Sequence, residues 1–247
     1  MNIFKKKPAK LISLMCVVVL VIAVCAAYLG DFYRADTDSI DAFTPANVVE
    51  QYQNDDGYLI FEPDETTTGF IFYPGGKVEH TAYIPLMENL ASEGILCVLV
   101  EMPFHLAVLD MDAAEGIPEQ FPQIESWYIG GHSLGGAMAA SYLSECADKF
   151  DGLVLLGAYS TADLSETDIS VLSIYGSEDQ VMDREKYELN KSNLPENFTE
   201  IVMEGGCHAY FGMYGMQDGD GTPTISNEDQ IELTSNYIIS MIEKRKS

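Results

Sequence analysis

Short apolar runs alternate with helical patterns along most of the chain, from about residue 57 onward. Seven runs, rich in β-branched and aromatic residues, have the length of strands. They lie at residues 58–61, 69–73, 95–100, 126–129, 153–156, 171–175 and 200–203. Helical patterns lie at residues 83–92, 134–146, 183–190 and 228–243. Strands alternating with helices predict an α/β fold, with a mostly parallel central sheet and helices on both faces.

The amino terminus departs from this pattern. Residues 11–30 form an uninterrupted apolar run without a charged side chain. The run is preceded by four lysines, Lys5, Lys6, Lys7 and Lys10. Twenty residues in a helix, at about 1.5 Å each, span the roughly 30 Å core of a bilayer. A basic flank before such a run places the amino terminus in the cytoplasm, so residues 1–30 are predicted to anchor a single-pass protein of the cell membrane.

A secreted domain is the alternative to a membrane anchor. A cleaved signal peptide has an apolar region of about 7–15 residues before a small-x-small site, of which residues 25–27 are a poor version. Cleavage before Cys25, as in a lipoprotein, is disfavoured by the bulky Val24. All three interpretations place the rest of the chain outside the cell.

The charge of the chain is strongly negative and unevenly distributed. The formal net charge is −26, from 13 Lys+Arg against 39 Asp+Glu, and residues 31–247 carry 9 bases against 39 acids, a net of −30. This balance argues against a nucleic acid partner, because phosphates are recognised mainly through Lys and Arg. A hydrophobic fraction of 47% is ample for a packed core. The acidic, weakly patterned residues 31–56 are predicted to form a linker, and residues 57–247 a single domain.

Neither the cysteines nor the acidic loops predict a bound metal. The cysteines outside the apolar run, Cys97, Cys146 and Cys207, are too widely spaced for a disulfide framework or a ligand cluster. The Asp-Gly-Asp-Gly sequence at residues 218–221 fails the EF-hand pattern, because Thr and Pro occupy its fifth and sixth positions. We expect a polar loop there, and neither a metal nor a cofactor.

A serine between two glycines is the first indication of chemistry. Residues 131–135, Gly-His-Ser-Leu-Gly, fit the G-x-S-x-G pattern, in which a serine occupies a sharp turn between a strand and a helix. The pattern is short, but its context agrees, since a strand pattern precedes it and a helix rich in small residues opens at Leu134. Small residues are needed there because the turn brings the two backbones close together. We predict Ser133 as a nucleophile, with a structural glycine turn as the alternative.

Four histidines are candidates for the base that a serine nucleophile needs. His132 adjoins the serine, and its side chain should leave the turn in another direction. His80 and His105 precede the serine. In enzymes that carry the serine of a G-x-S-x-G turn on a strand-to-helix connection, the catalytic residues follow the chain order serine, acid, histidine. His208, in the loop after the last predicted strand, is therefore the predicted base.

The acid that orients the base should lie between the serine and the histidine, at the end of a strand. Asp179 follows the predicted strand at residues 171–175 and is the leading candidate. Its neighbour Glu178 is the nearest alternative, and Asp163, after the preceding strand, is another. With 39 acids in the chain, position selects Asp179, because residue type alone cannot.

Hydrolysis through a serine also needs N–H donors for the oxyanion of the tetrahedral intermediate. The N–H of Leu134, the residue after the nucleophile, is the first predicted donor. The second is expected from the glycine loop after the strand at residues 69–73, where Gly76 is preferred and Gly75 and Lys77 are close alternatives. These loops, like those of the acid and the base, directly follow predicted strands. The carboxyl ends of parallel strands form one edge of a sheet, where ligand sites of open α/β sheets lie.

These motifs resemble the α/β-hydrolase superfamily, and more narrowly its bacterial membrane-anchored or secreted branch related to the dienelactone hydrolases. The resemblance covers roughly residues 68–243, and it is carried by the segments FIFYPGGKVEHTAYIPLMENLASEGI, LVEMPFHLAVLD, GGHSLGGAMAA, IYGSEDQV and GGCHAYFGMYGMQDGDG. It implies an α/β-hydrolase fold in which Ser133 is the nucleophile, Asp179 the acid and His208 the base. Dienelactone hydrolases use a cysteine at the sharp turn that holds the nucleophile, here called the elbow (residues 131–135), so their substrate does not transfer to this chain.

The resemblance also implies the shape of the site. Many α/β-hydrolases carry a cap domain after the sixth strand, but only about a dozen residues separate Leu156 from Ser170 here. We therefore predict no large cap domain, and an open site covered at most by residues 104–122 and 212–224. Residues 210–216, rich in Tyr and Met, either line an acyl pocket or pack the loop.

The function implied is hydrolysis of an ester-like acyl substrate through an acyl-enzyme. The substrate would be a small molecule or an acyl group attached to a surface polymer, and we expect a monomer. An acyltransferase or peptidase with the same triad, and a non-catalytic surface protein of this fold, are the alternatives. His105 and Cys207 stand where the family would be expected to have asparagine.

Overall fold

Helix α1, Lys6–Gly30, precedes the sheet and belongs to a separate compact unit that ends at Phe32. The computed structural model describes residues 6–45, 47 and 49–246, so Lys5 of the predicted basic flank lies outside the described residues. From Ser13 to Gly30 the helix is uncharged, and nearly all of its side chains are exposed. Eighteen residues of helix are about 27 Å long, which suits a membrane span and equally a signal sequence.

Within the described residues, eight strands form one sheet in the order β1-β2-β4-β3-β5-β6-β7-β8. They are Glu50–Gln53 (β1), Leu59–Glu62 (β2), Thr68–Tyr73 (β3), Leu96–Leu99 (β4), Ser126–His132 (β5), Gly152–Leu156 (β6), Ser170–Gly176 (β7) and Thr199–Met203 (β8). Strand β2 is antiparallel to β1 and β4, and the other neighbours are parallel. The seven predicted strands coincide with β2 to β8, so the predicted mostly parallel sheet is confirmed.

Helices cover both faces of this sheet. After α1 they are Thr37–Ala42 (α2), Ile84–Ser92 (α3), Ile117–Gln120 (α4), Leu134–Glu145 (α5), Arg184–Asn190 (α6) and Asn227–Lys246 (α7). Alternate residues of a strand point to opposite faces. Phe70 and Phe72 of β3 accordingly pack in one apolar cluster with α3 and α7, whereas Ile71 and Tyr73 pack in another with α5. Burial on both faces explains the near-continuous apolar runs of the central strands.

Residues 33–56, predicted as a linker, are part of the compact unit that begins at Tyr33. They include α2, where the Asp36 carboxylate accepts a hydrogen bond from the Ser39 N–H, and β1, which pairs with β2. The folded unit therefore begins at Tyr33 and not after residue 56. All four residues of β1 are exposed, so no alternation of apolar residues marks this edge strand in the sequence.

The connection between β6 and β7 is short and contains no helix, so the unit has no large cap there, as predicted. The register of the parallel strands decides which loops meet at their carboxyl ends. Tyr73 of β3 pairs with Gly131 of β5, and His132 pairs with Leu156 of β6. The loops that follow these strands therefore leave the sheet side by side.

Candidate active site

Ser133 occupies a strained turn between β5 and α5. Its φ of 52° and ψ of −120° lie in a region that residues other than glycine rarely adopt. Glycines on both sides allow the turn: a Cβ at Gly131 would lie 2.7 Å from the Gly136 nitrogen, and a Cβ at Gly135 would collide with the Pro74 carbonyl oxygen. The half-buried Ser133 is thus held at the carboxyl edge of the sheet by backbone that tolerates only glycine around it.

Asp179 and His208 form a buried pair at the same edge. His208 Nδ1 lies 2.9 Å from Asp179 Oδ2, and the two residues are 1% and 5% exposed. The other oxygen of Asp179, Oδ1, accepts hydrogen bonds from the N–H groups of Val181 and Met182, each at 2.9 Å. These bonds fix the carboxylate, and the carboxylate fixes the imidazole ring.

Opposing effects act on the pKa of Asp179. Burial raises this pKa, but the hydrogen bond and charge of His208 and the two backbone donors lower it more, so the pKa lies below its ordinary value of 3.8. The ionised carboxylate therefore contributes to stability at pH values above 3.8. That contribution is lost as the pH falls from this value through the lowered pKa.

The second nitrogen of His208, Nε2, is buried and has no hydrogen-bond partner among the described residues. In a serine hydrolase this nitrogen accepts the proton of the nucleophile. The end of β6 lies between the Ser133 turn and His208. The Ser133 N–H donates to the Leu156 carbonyl at 2.9 Å, and a Cβ built on the following residue, Gly157, would lie 2.8 Å from His208 Nδ1. The three residues predicted as nucleophile, acid and base thus follow β5, β7 and β8, at the carboxyl edge of one sheet.

Gly157 is a site residue that sequence reasoning did not identify. Its φ is +52°, and a Cβ there would lie 2.8 Å from His208 Nδ1 and 3.2 Å from Asp179 Oδ2. A side chain at this position would therefore enter the space beside Asp179 and His208. The signal in the sequence is a glycine directly after an apolar strand that ends beside the elbow.

If Asp179 and His208 act as the predicted catalytic pair, we expect Gly157→Ala to lower kcat/KM for the predicted ester substrates by roughly 10²-fold, because a displacement of about 1 Å in such a pair costs this much. Gly94→Ala is the matched control: Gly94 has a φ of +83° and nothing within 4 Å of its would-be Cβ. Both variants carry the backbone strain, but only the first disturbs the pair. Equal activity of the two variants, measured after their thermal stabilities are compared, would contradict this role.

The loop after β3 separates the candidate oxyanion donors. The Gly75 N–H donates to Tyr83 Oη at 3.1 Å, and the Lys77 N–H donates to the His105 carbonyl at 2.7 Å. Within the described residues, no hydrogen bond from the Gly76 N–H is found. The structure thus differs from the prediction for Gly75, whose N–H is already engaged, and leaves Gly76 as the better candidate.

Gly76 and Leu134 lie against each other. A Cβ at Gly76 would lie 2.9 Å from Leu134 Cδ2. Leu134 is the first residue of α5, so its N–H has no acceptor within the helix. The positive end of the helix dipole lies at the same point and favours negative charge there.

His132 packs beside His208, a role that the sequence did not indicate. Its Nδ1 lies 2.8 Å from Tyr83 Oη, and its ring centroid lies 4.4 Å from that of His208. His132 is fully buried, and this burial, reinforced by the adjoining His208, holds the pKa of His132 well below its ordinary value of 6.5. A neutral imidazole in this position packs against His208 without adding charge to the candidate site.

We expect His132→Asn to weaken the decrease in the free energy of unfolding as the pH falls below about 6.5. In the unfolded chain His132 takes up a proton below about pH 6.5, whereas the folded protein resists protonation. The free energy of unfolding should therefore fall by about 1.4 kcal/mol per pH unit below that value on account of this residue. Asparagine keeps a polar group toward Tyr83 but does not titrate. Urea unfolding of native protein and variant between pH 7 and 4.5 tests this, and parallel pH profiles would contradict it.

Two further side chains hold the loops that carry Asp179 and His208. Asp220 accepts hydrogen bonds from the N–H groups of Ala209, at 2.8 Å, and of Gln180, at 3.3 Å. The buried Gln230 bonds both the N–H and the carbonyl of Cys207, at 3.0 and 2.8 Å. Each contact falls next to Asp179 or His208 in the chain. Asp220 of the Asp-Gly-Asp-Gly loop therefore connects the loop that carries Asp179 to the loop that carries His208.

Neither of the two alternative acids has a hydrogen bond to His208 among the described residues, and the nearby thiol of Cys207 is not reactive. Asp163 is exposed, and its carboxylate accepts hydrogen bonds from Ser165. Glu178 accepts a hydrogen bond from the Ser177 hydroxyl at 3.1 Å. Burial raises the pKa of the Cys207 thiol to about 12, so this cysteine stays protonated and is a poor nucleophile.

The loop after His208 is mainly packed into the protein. Met213 and Tyr214 are buried in the apolar cluster beneath α3 and α7, whereas Met216 is exposed. This segment was predicted either to line an acyl pocket or to pack the loop, and Met213 and Tyr214 pack the loop. In the loop after β4, the exposed Phe104 presents its aromatic ring to solvent. Its φ is 52°.

Comparisons with known proteins agree on the fold. The sequence matches the family model described as "Alpha/beta hydrolase family" over residues 69–232. Est1E from Butyrivibrio proteoclasticus is 12% identical, with a TM-score of 0.58 over 80% of this chain and 100% of that chain. Dienelactone hydrolase from Anabaena variabilis is 13% identical, with a TM-score of 0.59 over 78% and 99% of the two chains.

A third similar structure is a predicted CIB-like hydrolase from Thermoplasma acidophilum. It is 15% identical, with a TM-score of 0.55 over 78% of this chain and 99% of that chain. At these identities the structural likeness establishes a shared fold. The search of curated proteins found no match.

Proposed function

The chain belongs to the alpha/beta hydrolase family, and we propose on this basis that it is a serine hydrolase cleaving ester-like acyl substrates. Ser133 would be the nucleophile, His208 the base and Asp179 the acid that orients it. The observation that carries the proposal is the buried pair of His208 and Asp179, 2.9 Å apart, at the strand ends beside the Ser133 turn.

The first half of the proposed reaction forms an acyl-enzyme. Ser133 Oγ attacks the carbonyl carbon of the ester as its proton passes to His208 Nε2. The negative charge that develops on the carbonyl oxygen would be stabilised by the N–H groups of Leu134 and Gly76, neither of which has an acceptor of its own in the described structure. The bond from the carbonyl carbon to the alcohol oxygen then breaks, and His208 gives the proton to the departing alcohol.

The second half releases the acid. Water attacks the acyl-enzyme carbonyl, and its proton passes to His208 Nε2. The bond to Ser133 Oγ breaks, the proton returns to that oxygen, and the carboxylic acid leaves. Asp179 remains ionised throughout, which agrees with its lowered pKa, and it keeps the proton of the neutral imidazole on Nδ1.

We also propose that this reaction takes place outside the cell, at the surface of the membrane in which residues 11–30 anchor the protein. The uncharged, exposed helix from Ser13 to Gly30 and the lysines before it support this location. The net charge of −30 in residues 31–247 disfavours polyanionic substrates.

Labelling by a fluorophosphonate probe and hydrolysis of short p-nitrophenyl esters test the proposed chemistry. We expect a Ser133-dependent covalent adduct and release of p-nitrophenol by water. Products made by adding an alcohol or amine would reveal whether acyl transfer outcompetes hydrolysis, as an acyltransferase would show. A protein that neither reacts with the probe nor cleaves these esters would be non-catalytic.

A further inference from the structure

The folded unit begins at the rim of the candidate active site. The N–H of Tyr33, its first residue, donates to the Lys77 carbonyl at 2.8 Å, and the Glu79 N–H donates to the Tyr33 carbonyl at 2.9 Å. Lys77 directly follows Gly76, the candidate oxyanion donor. The chain therefore enters the unit along the loop that would hold the substrate carbonyl.

The same residue contacts the loop on the other side of the site. The Tyr33 ring centroid lies 5.7 Å from that of Tyr214, and Tyr33 Oη accepts a hydrogen bond from the Asp218 N–H at 3.1 Å. The Tyr214 ring in turn lies 6.5 Å from the ring of His132, which packs on His208. Tyr33 thus touches both loops that border the elbow.

Few residues connect Tyr33 to the apolar segment. The segment ends at Gly30, and only Asp31 and Phe32 separate it from Tyr33. Three residue steps span at most about 11 Å even when fully extended. Where residues 11–30 cross a membrane, the outer end of the crossing segment therefore lies within three residue steps of Tyr33 along the chain.

We propose that the substrate is an acyl ester held in the bilayer, an amphiphile with a neutral or cationic headgroup. This inference rests on the proposed function and on the anchoring of residues 11–30. A short tether confines the enzyme to a high effective concentration of substrates in the same surface, whereas a dissolved ester gains nothing from it. The acidic unit, with a net charge of −30 over residues 31–247, would repel anionic headgroups.

The expected reaction consumes one water for each ester bond. Ser133 takes the acyl group, the alcohol part stays in the bilayer or departs, and water then releases the acid. No further reactant is needed. The headgroup region of the bilayer would supply the ester, and no large cap between β6 and β7 would have to move to admit it.

Lengthening the tether tests the proposal with the full chain in neutral phosphatidylcholine vesicles. One variant carries 20 Gly/Ser residues between Phe32 and Tyr33, with a root-mean-square reach of about 25 Å. A second carries a helical insert of 20 residues, about 30 Å long. The control carries the same Gly/Ser residues after Ser247. The substrates are a long-chain fluorogenic ester incorporated in the vesicles and water-soluble p-nitrophenyl acetate.

We expect both inserts to lower hydrolysis of the bilayer ester by tenfold or more and to leave p-nitrophenyl acetate hydrolysis within twofold of the control. Unchanged rates on both substrates, or equal losses on both, would overturn the proposal. Mass spectrometry showing that residues 1–30 are removed from the mature protein would also overturn it. Failure of the native chain to cleave p-nitrophenyl acetate would instead reject the proposed function itself.

Vesicle charge provides an independent arm of the test. Adding 30% phosphatidylglycerol should lower the rate on the bilayer ester at low salt, and 0.5 M NaCl should restore it, because salt screens the repulsion. An equal or higher rate in anionic vesicles at low salt would contradict the preference for neutral or cationic headgroups.

Discussion

Ser133→Ala is expected to lower kcat for ester hydrolysis by about 10⁴- to 10⁶-fold and to abolish fluorophosphonate labelling. Without Oγ there is no group to form the acyl-enzyme, and only the positioning of substrate and the oxyanion donors remain. Alanine adopts the φ of 52° about as poorly as serine does, so the strain of the turn stays the same in both proteins. The thermal midpoint should therefore change little.

Ser141→Ala is the matched control for this experiment. Ser141 lies two turns further along α5, and its hydroxyl donates to the Ala137 carbonyl of the same helix at 3.0 Å. This variant should keep both labelling and activity. Comparable labelling of Ser133→Ala and native protein would show that another residue is the nucleophile, and the assignment of the elbow would fail.

Asp179→Asn is expected to lower kcat by about 10⁴-fold while leaving substrate binding largely intact. The N–H groups of Val181 and Met182 both donate to Oδ1, so the carbonyl oxygen of the asparagine should take that position. Its NH₂ group would then face His208 Nδ1, which must accept a hydrogen bond. The proton of the neutral imidazole would move to Nε2, and the base would lose the lone pair that takes the proton from Ser133.

Glu178→Gln separates the acid from its nearest alternative. Glu178 is adjacent in sequence and also carboxylic, but its side chain accepts a hydrogen bond from Ser177 and has no bond to His208. Its replacement should leave kcat within about twofold of the native value. A large loss in Glu178→Gln together with a small one in Asp179→Asn would reverse the assignment.

The order of strands and helices could be predicted because burial leaves a local signature. Strands β3 to β7 have both faces covered, which requires apolar residues along their whole length. Strand β1 has no covered face and carried no such signature. Its place in the sheet depends on backbone hydrogen bonds to β2, and these bonds hardly constrain the side chains.

The candidate site was predictable to the extent that its residues occupy special backbone positions. Ser133 lies between glycines, and glycines at this spacing indicate a sharp turn. His208 was the histidine that remained in the expected chain order. Gly157 and Gln230 were not found. A glycine at a strand end and a glutamine on a helix are common features, and their importance arises only from contact with His208 and Cys207.

The sequence by itself determined the fold class, the apolar amino-terminal segment, the acidic charge of residues 31–247 and the elbow with its prospective partners. These properties depend on residue type and local spacing. The tertiary structure alone decided that the Gly75 N–H is engaged by Tyr83 while that of Gly76 is not, and that Tyr33 lies at the rim of the site. Hydrogen-bond partners far apart in the chain meet only when the register of the strands brings their loops together, and no local pattern encodes that meeting.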